Sequence, residues 1–127
     1  MPRQLRQVSL LLLFAILAVA PLAAQQSKPV QAIATVLMTM NHFPDDAQKQ
    51  SLKQLADDKA TTAPERVLLQ ALLNVQHTLS AADKPKVEAL LKDPAATDAV
   101  KTLATILGKL NHQATDADKA ALKKLLS

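Results

Sequence analysis

Residues 62–91 read TAPERVLLQALLNVQHTLSAADKPKVEALL, and residues 97–126 read TDAVKTLATILGKLNHQATDADKAALKKLL. Laid over one another at a shift of 35, the two stretches share nine identities. The same shift carries His112 onto His77 and His77 onto His42. It also superposes Leu37, Leu72 and Leu107; Ala47, Ala82 and Ala117; Lys49, Lys84 and Lys119; and Leu55, Leu90 and Leu125. Columns that vary keep their chemistry, as in Ile33, Leu68, Leu103 and in Met40, Val75, Leu110. Matches in fixed order at one period are the signature of internal repetition. Three units follow, at residues 27–61, 62–96 and 97–127, and they fill a single all-α domain spanning 25–127.

Each unit carries two helix-start signals 18 residues apart. The first is Ser27, Thr62 or Thr97; in the middle unit Thr62 and Glu65 form a capping box with Pro64 in the first turn. The second is Asp45, Ser80 or Thr115, followed three residues later by Gln48, Asp83 or Asp118. Between the two signals runs helix A, with apolar residues at i, i+4 and i+7: Ile33, Leu37, Met40 in the first unit and Leu103, Leu107, Leu110 in the third. That spacing is helical and does not fit a strand. Helix B carries Leu52 and Leu55, then Val87, Leu90 and Leu91, then Leu122, Leu125 and Leu126. Two or three residues join A to B, so the pair forms an antiparallel hairpin. The expected fold is therefore all-α: six helices in three hairpins, as a short solenoid or a closed bundle.

Two irregularities qualify the pattern. Pro85 lies where it would remove a helical N–H, so the second helix B is expected to begin near Asp83 with Pro85 in its first turn. Gly108 interrupts the third helix A, either for a close contact or because the helix stops there.

Residues 1–24 have the composition of a signal peptide. Arg3 and Arg6 precede an apolar run from Val8 to Ala20, Pro21 follows, and Ala23 and Ala24 are small. The run is shorter than the roughly 20 residues a spanning helix needs, so cleavage and export to the periplasm or beyond are expected, with no retained membrane span. Removing Arg3 and Arg6 from 15 basic residues leaves 13 against 11 acidic ones. Lysines alternate with acids, and Phe43 is the one aromatic residue outside the leader, so nucleic acid is not an expected partner. With no cysteine there is no disulfide, thiolate metal site or thiol nucleophile.

Four sets of residues could carry chemistry. His42, His77 and His112 could bind zinc, copper or nickel. Their expected role is instead to cap the C-terminal ends of the A helices, where a partly protonated ring suits the negative dipole end. In an open solenoid equivalent residues stand roughly 10 Å or more apart, too far to share one ion; only closure into a pseudo-threefold bundle would unite them. His77, Ser80 and Asp83 match a hydrolase triad in type, but the same columns hold Asp45 with Gln48 and Thr115 with Asp118, which follows capping chemistry. Asp45–Asp46 and Asp57–Asp58 read as solvated helix ends, and Lys49, Lys84 and Lys119 as a solvated lysine column that could face an anion. Met38 and Met40 could serve a copper site together with the histidines, but Met40 shares its column with Val75 and Leu110, and both read as core.

The expectation is an exported, non-catalytic module that holds a protein or peptide, with no cofactor. The alternative is a metal-binding or pH-responsive protein that uses the three histidines. An exposed repeat end would also offer a route to a homodimer.

Overall fold

The computed structural model describes residues 25–127; the proposed leader, 1–24, lies outside the described residues. It contains six helices: α1 (Lys28–Thr39), α2 (Asp46–Asp57), α3 (Ala63–Leu73), α4 (Lys84–Leu90), α5 (Asp98–Gly108) and α6 (Asp116–Leu126). There is no named strand among the described residues, and none of the described helices is long and apolar enough to cross a membrane.

Five of the six starts obey the capping chemistry of the sequence; α4 does not, since its N-cap is Asp83, which makes no side-chain cap bond, and Ser80 lies three residues before it. Thr62 accepts from the Glu65 N–H while Glu65 accepts from the Thr62 N–H, and Asp45 with Gln48 makes the same reciprocal pair. Ser27, Thr97 and Thr115 each accept from the backbone three residues on. Helix α4 begins at Lys84, with Pro85 in its first turn, where a missing N–H costs nothing. Helix α5 stops at Gly108, and a Cβ placed on that glycine would meet no atom within 4 Å. The glycine therefore marks a helix end and not a close contact.

The hairpins close into a ring. The A helices α1, α3 and α5 all touch one another in the centre. Each B helix packs chiefly on the A helix of the next unit: α2 on α3, α4 on α5, and α6 back on α1. That last pairing decides between the two expected architectures. Because α6 covers α1, neither end of the array is left open, and the exposed repeat end invoked for a homodimer is absent among the described residues.

The core is built in layers of three equivalent residues. Ile33, Leu68 and Leu103 form one fully buried layer, and Leu37, Leu72 and Leu107 the next. Met40, Val75 and Leu110 close the stack below the A–B loops, each no more than 5% exposed. Flanking columns exchange bulk: Ala34, Leu69 and Ala104 are buried beside Val36, Ala71 and Ile106. The middle unit takes its large residue from the first column and its small one from the second, which keeps the filled volume constant. Leu52, Val87 and Leu122 seal the B helices onto this stack.

Candidate metal centre

The A helices end before the histidines. Their C-caps are Met40, Asn74 and Lys109, so His42, His77 and His112 lie beyond the helices, and the capping role expected of them is not the one they have. Each histidine instead has positive φ: 75°, 70° and 64°. No other non-glycine residue described shares this conformation. A left-handed backbone strongly favours glycine, with His, Asn and Asp less disfavoured than most. At all three equivalent positions an imidazole thus stands where glycine would meet no Cβ penalty.

The left-handed turn carries the three loops onto one axis. The His42 N–H donates to the carbonyl of His112 (2.8 Å), that of His77 to His42 (2.8 Å), and that of His112 to His77 (2.7 Å). The three backbones thus form a closed cycle of hydrogen bonds. Above it the rings meet edge to face, with centroids 4.9, 5.0 and 4.9 Å apart. The Nδ1 atoms converge further: 2.9 Å from His42 to His112, 3.2 Å from His77 to His42, and 3.0 Å from His77 to His112. The separation of roughly 10 Å expected of a solenoid does not apply, because closure turns equivalent positions along a row into equivalent positions around an axis.

A second set of side chains clamps each loop. Residues 39, 74 and 109 end the A helices, and residues 48, 83 and 118 lie in or just before the first turns of the B helices. The pairs bond across the loop with three chemistries. Gln48 Nε2 donates to Thr39 Oγ1 (3.0 Å), Asn74 Nδ2 to Asp83 Oδ2 (3.0 Å), and Lys109 Nζ pairs with Asp118 Oδ1 (2.8 Å). Burial works against ionisation of Asp83, yet bonds from Ser80 and Asn74 and the nearby Lys86 charge bring its carboxyl below the usual range. Asp118 behaves alike: its burial is outweighed by Lys109 and by the Thr115 hydroxyl and backbone. These clamps fasten each histidine-bearing loop between the helices that flank it.

The other candidate sets do not converge. Ser80 donates to Asp83 (2.7 Å) and Asp83 accepts from Asn74, while His77 Nδ1 faces the other two histidines. The hydrolase-like set is therefore a loop clamp. Asp58 Oδ1 accepts from the Ala60 N–H, a turn bond, and Asp45 caps α2. Met40 is buried beneath the histidine loops, and Met38 packs partly buried against the core. Lys49 stands 5.5 Å from the Phe43 ring centroid, over its face, and together they line a groove beside His77. The 39–48, 74–83 and 109–118 pairings are legible in the sequence as columns, but the alignment does not mark them because the residue types differ.

The cluster can do one thing plainly. Three points about 3 Å apart are all reached by bonds of roughly 2.0–2.1 Å from one position just off their plane, and that is the length of a metal–imidazole bond. His42 is half-buried and His77 and His112 are exposed, so the outer side of the triangle is open to solvent. The described residues thus form a closed ring of three helical hairpins with three histidines converging on one point. No protein-family model matches the chain, and no curated protein or solved structure matches it.

Proposed function

We propose that this chain is an exported metal-binding protein that holds one divalent transition-metal ion on Nδ1 of His42, His77 and His112. The observation that carries the reading is the mutual approach of the three Nδ1 atoms to 2.9–3.2 Å. Each imidazole Nδ1 carries either one in-plane proton or one lone pair, so the three contacts cannot all be hydrogen bonds at once. With all three nitrogens unprotonated the lone pairs repel, and a central cation turns that repulsion into ligation. The C-terminal ends of α1, α3 and α5 lead into this point, and their dipoles favour positive charge there.

An all-imidazole donor set suits zinc, copper(II) and nickel. Ligation through Nδ1 leaves the ring proton on Nε2. We read the centre as a binding site and not as an enzyme, since Ser80 and Asp83 are occupied in joining helix ends. The apolar groove between α1 and α2, lined by Ala32, Val36 and Leu55 among others, supports a second reading in which a peptide is also held.

The test is titration of the purified protein with zinc and with copper(II). For zinc, the ring signals of all three histidines, followed by NMR, move together and saturate at one equivalent. For copper(II), one equivalent gives a single visible and EPR signature of nitrogen ligation. Three independent responses, or none, would remove the reading.

A further inference from the structure

We infer that the outward positions of the metal centre take a small carboxylate with a short hydrocarbon tail, held in the groove beside His77. The inference rests on the metal reading above. Three imidazoles on one side of an ion leave its other positions unfilled, and the buried layer of Met40, Val75 and Leu110 occupies the inner side. The unfilled positions therefore face outward, where exogenous ligands bind.

The neighbourhood specifies the ligand class. A groove of about 240 Å³ is lined by Phe43, Lys49, Leu73, Val75, Gln76 and His77. His77 is thus both a proposed ligand and a wall of this groove. Lys49 supplies a cation, and among the described residues no carboxylate lies within 4.0 Å of its ammonium; the single ion pair joins Lys109 to Asp118. Its ammonium rests over the Phe43 ring, which holds it near the groove. Phe43 is itself 50% exposed, so part of the ring still faces solvent. Cation and apolar wall together fit neither a bare inorganic anion nor a neutral hydrocarbon. They fit a carboxylate with one oxygen on the metal, the other towards Lys49, and a tail along Phe43 and Leu73.

The experiment uses the protein loaded with cobalt(II), whose visible absorption reports its ligands. Loading is established first by the one-equivalent titration. Butyrate then changes the spectrum saturably and binds roughly fivefold more tightly than acetate, because its added methylenes leave water. Lys49→Gln weakens butyrate about fivefold or more, with cobalt affinity unchanged, and Phe43→Ala erases the preference for butyrate over acetate. A loaded protein whose spectrum ignores both carboxylates, or a Lys49→Gln variant that binds butyrate as the parent does, overturns the carboxylate site and leaves the metal centre standing. Failure to load cobalt, zinc or copper(II) at one equivalent overturns both.

Discussion

At the scale of the residue, the centre depends on a conflict between backbone and side chain. His42, His77 and His112 each hold positive φ, which glycine adopts without a Cβ penalty. Replacing His77 with glycine should therefore leave the metal-free fold intact, or stabilise it by about 0.5–1 kcal/mol, as it removes both that strain and one of three opposed lone pairs. The same change removes one of three ligands, and zinc affinity should fall by about 100-fold or more. Urea denaturation of the metal-free protein and zinc calorimetry read the two effects separately. A large loss of apo stability would show that the ring packs structurally and that ligation is not its purpose. In the core the expectation is the reverse. Leu72 is fully buried in a three-leucine layer, and Leu72→Ala should cost about 2–5 kcal/mol in the same denaturation experiment.

At the scale of the element, each hairpin is fastened across its loop by a polar pair. Asp118 illustrates the electrostatic version, with Lys109 at 2.8 Å. Its carboxyl lies below the usual range in the folded chain, so it binds a proton less readily folded than unfolded. The stability it contributes is present above the unfolded carboxylate value of about 3.9, and is lost as pH falls from there through the folded value. Lys109→Met should flatten that acid dependence. The lysine side chain is 56% exposed, so solvent screening limits the change between pH 7 and pH 3 to about 0.5–1 kcal/mol. Denaturation midpoints at the two pH values measure it; an unchanged difference would mean that Lys109 does not govern Asp118.

At the scale of the whole molecule, closure makes the chain ends ordinary positions on a ring. Helix α6 packs on α1 as α2 packs on α3 and α4 on α5. A circular permutant that joins Ser127 to Gln26 through about four residues, and opens between Asp93 and Ala96, should keep its helical circular dichroism and a cooperative melt. Loss of the cooperative transition would mean that the α4–α5 connection does more than link. Closure also couples the centre to global stability, because the ligands come from all three units. Zinc at 100 times its dissociation constant should raise unfolding stability by about 2.7 kcal/mol. A zinc-independent melting temperature would contradict the shared site.

The repeat, the helical hairpins and five of the six capped helix starts are legible in the residues alone. These are local matters: capping hydroxyls and carboxylates satisfy nearby N–H groups, and apolar residues at helical spacing define a buried stripe. Pro85 announces the late start of α4, whereas Gly108 left a close contact and a helix end equally open until the structure showed the latter. Ring closure was left open by the same reading, because the packing of α6 on α1 joins residues at opposite ends of the described chain. The histidines show the consequence. Their period of 35 was plain, yet read as helix caps in an open solenoid they were expected to stand far from one another. Helices that stop three or four residues early, a left-handed turn at each histidine and a closed cycle of backbone hydrogen bonds reverse that conclusion. Only the tertiary structure could decide this, because distance between repeats depends on rotation about a common axis, and the angle of that rotation follows from how the three A helices pack and not from any one repeat's residues.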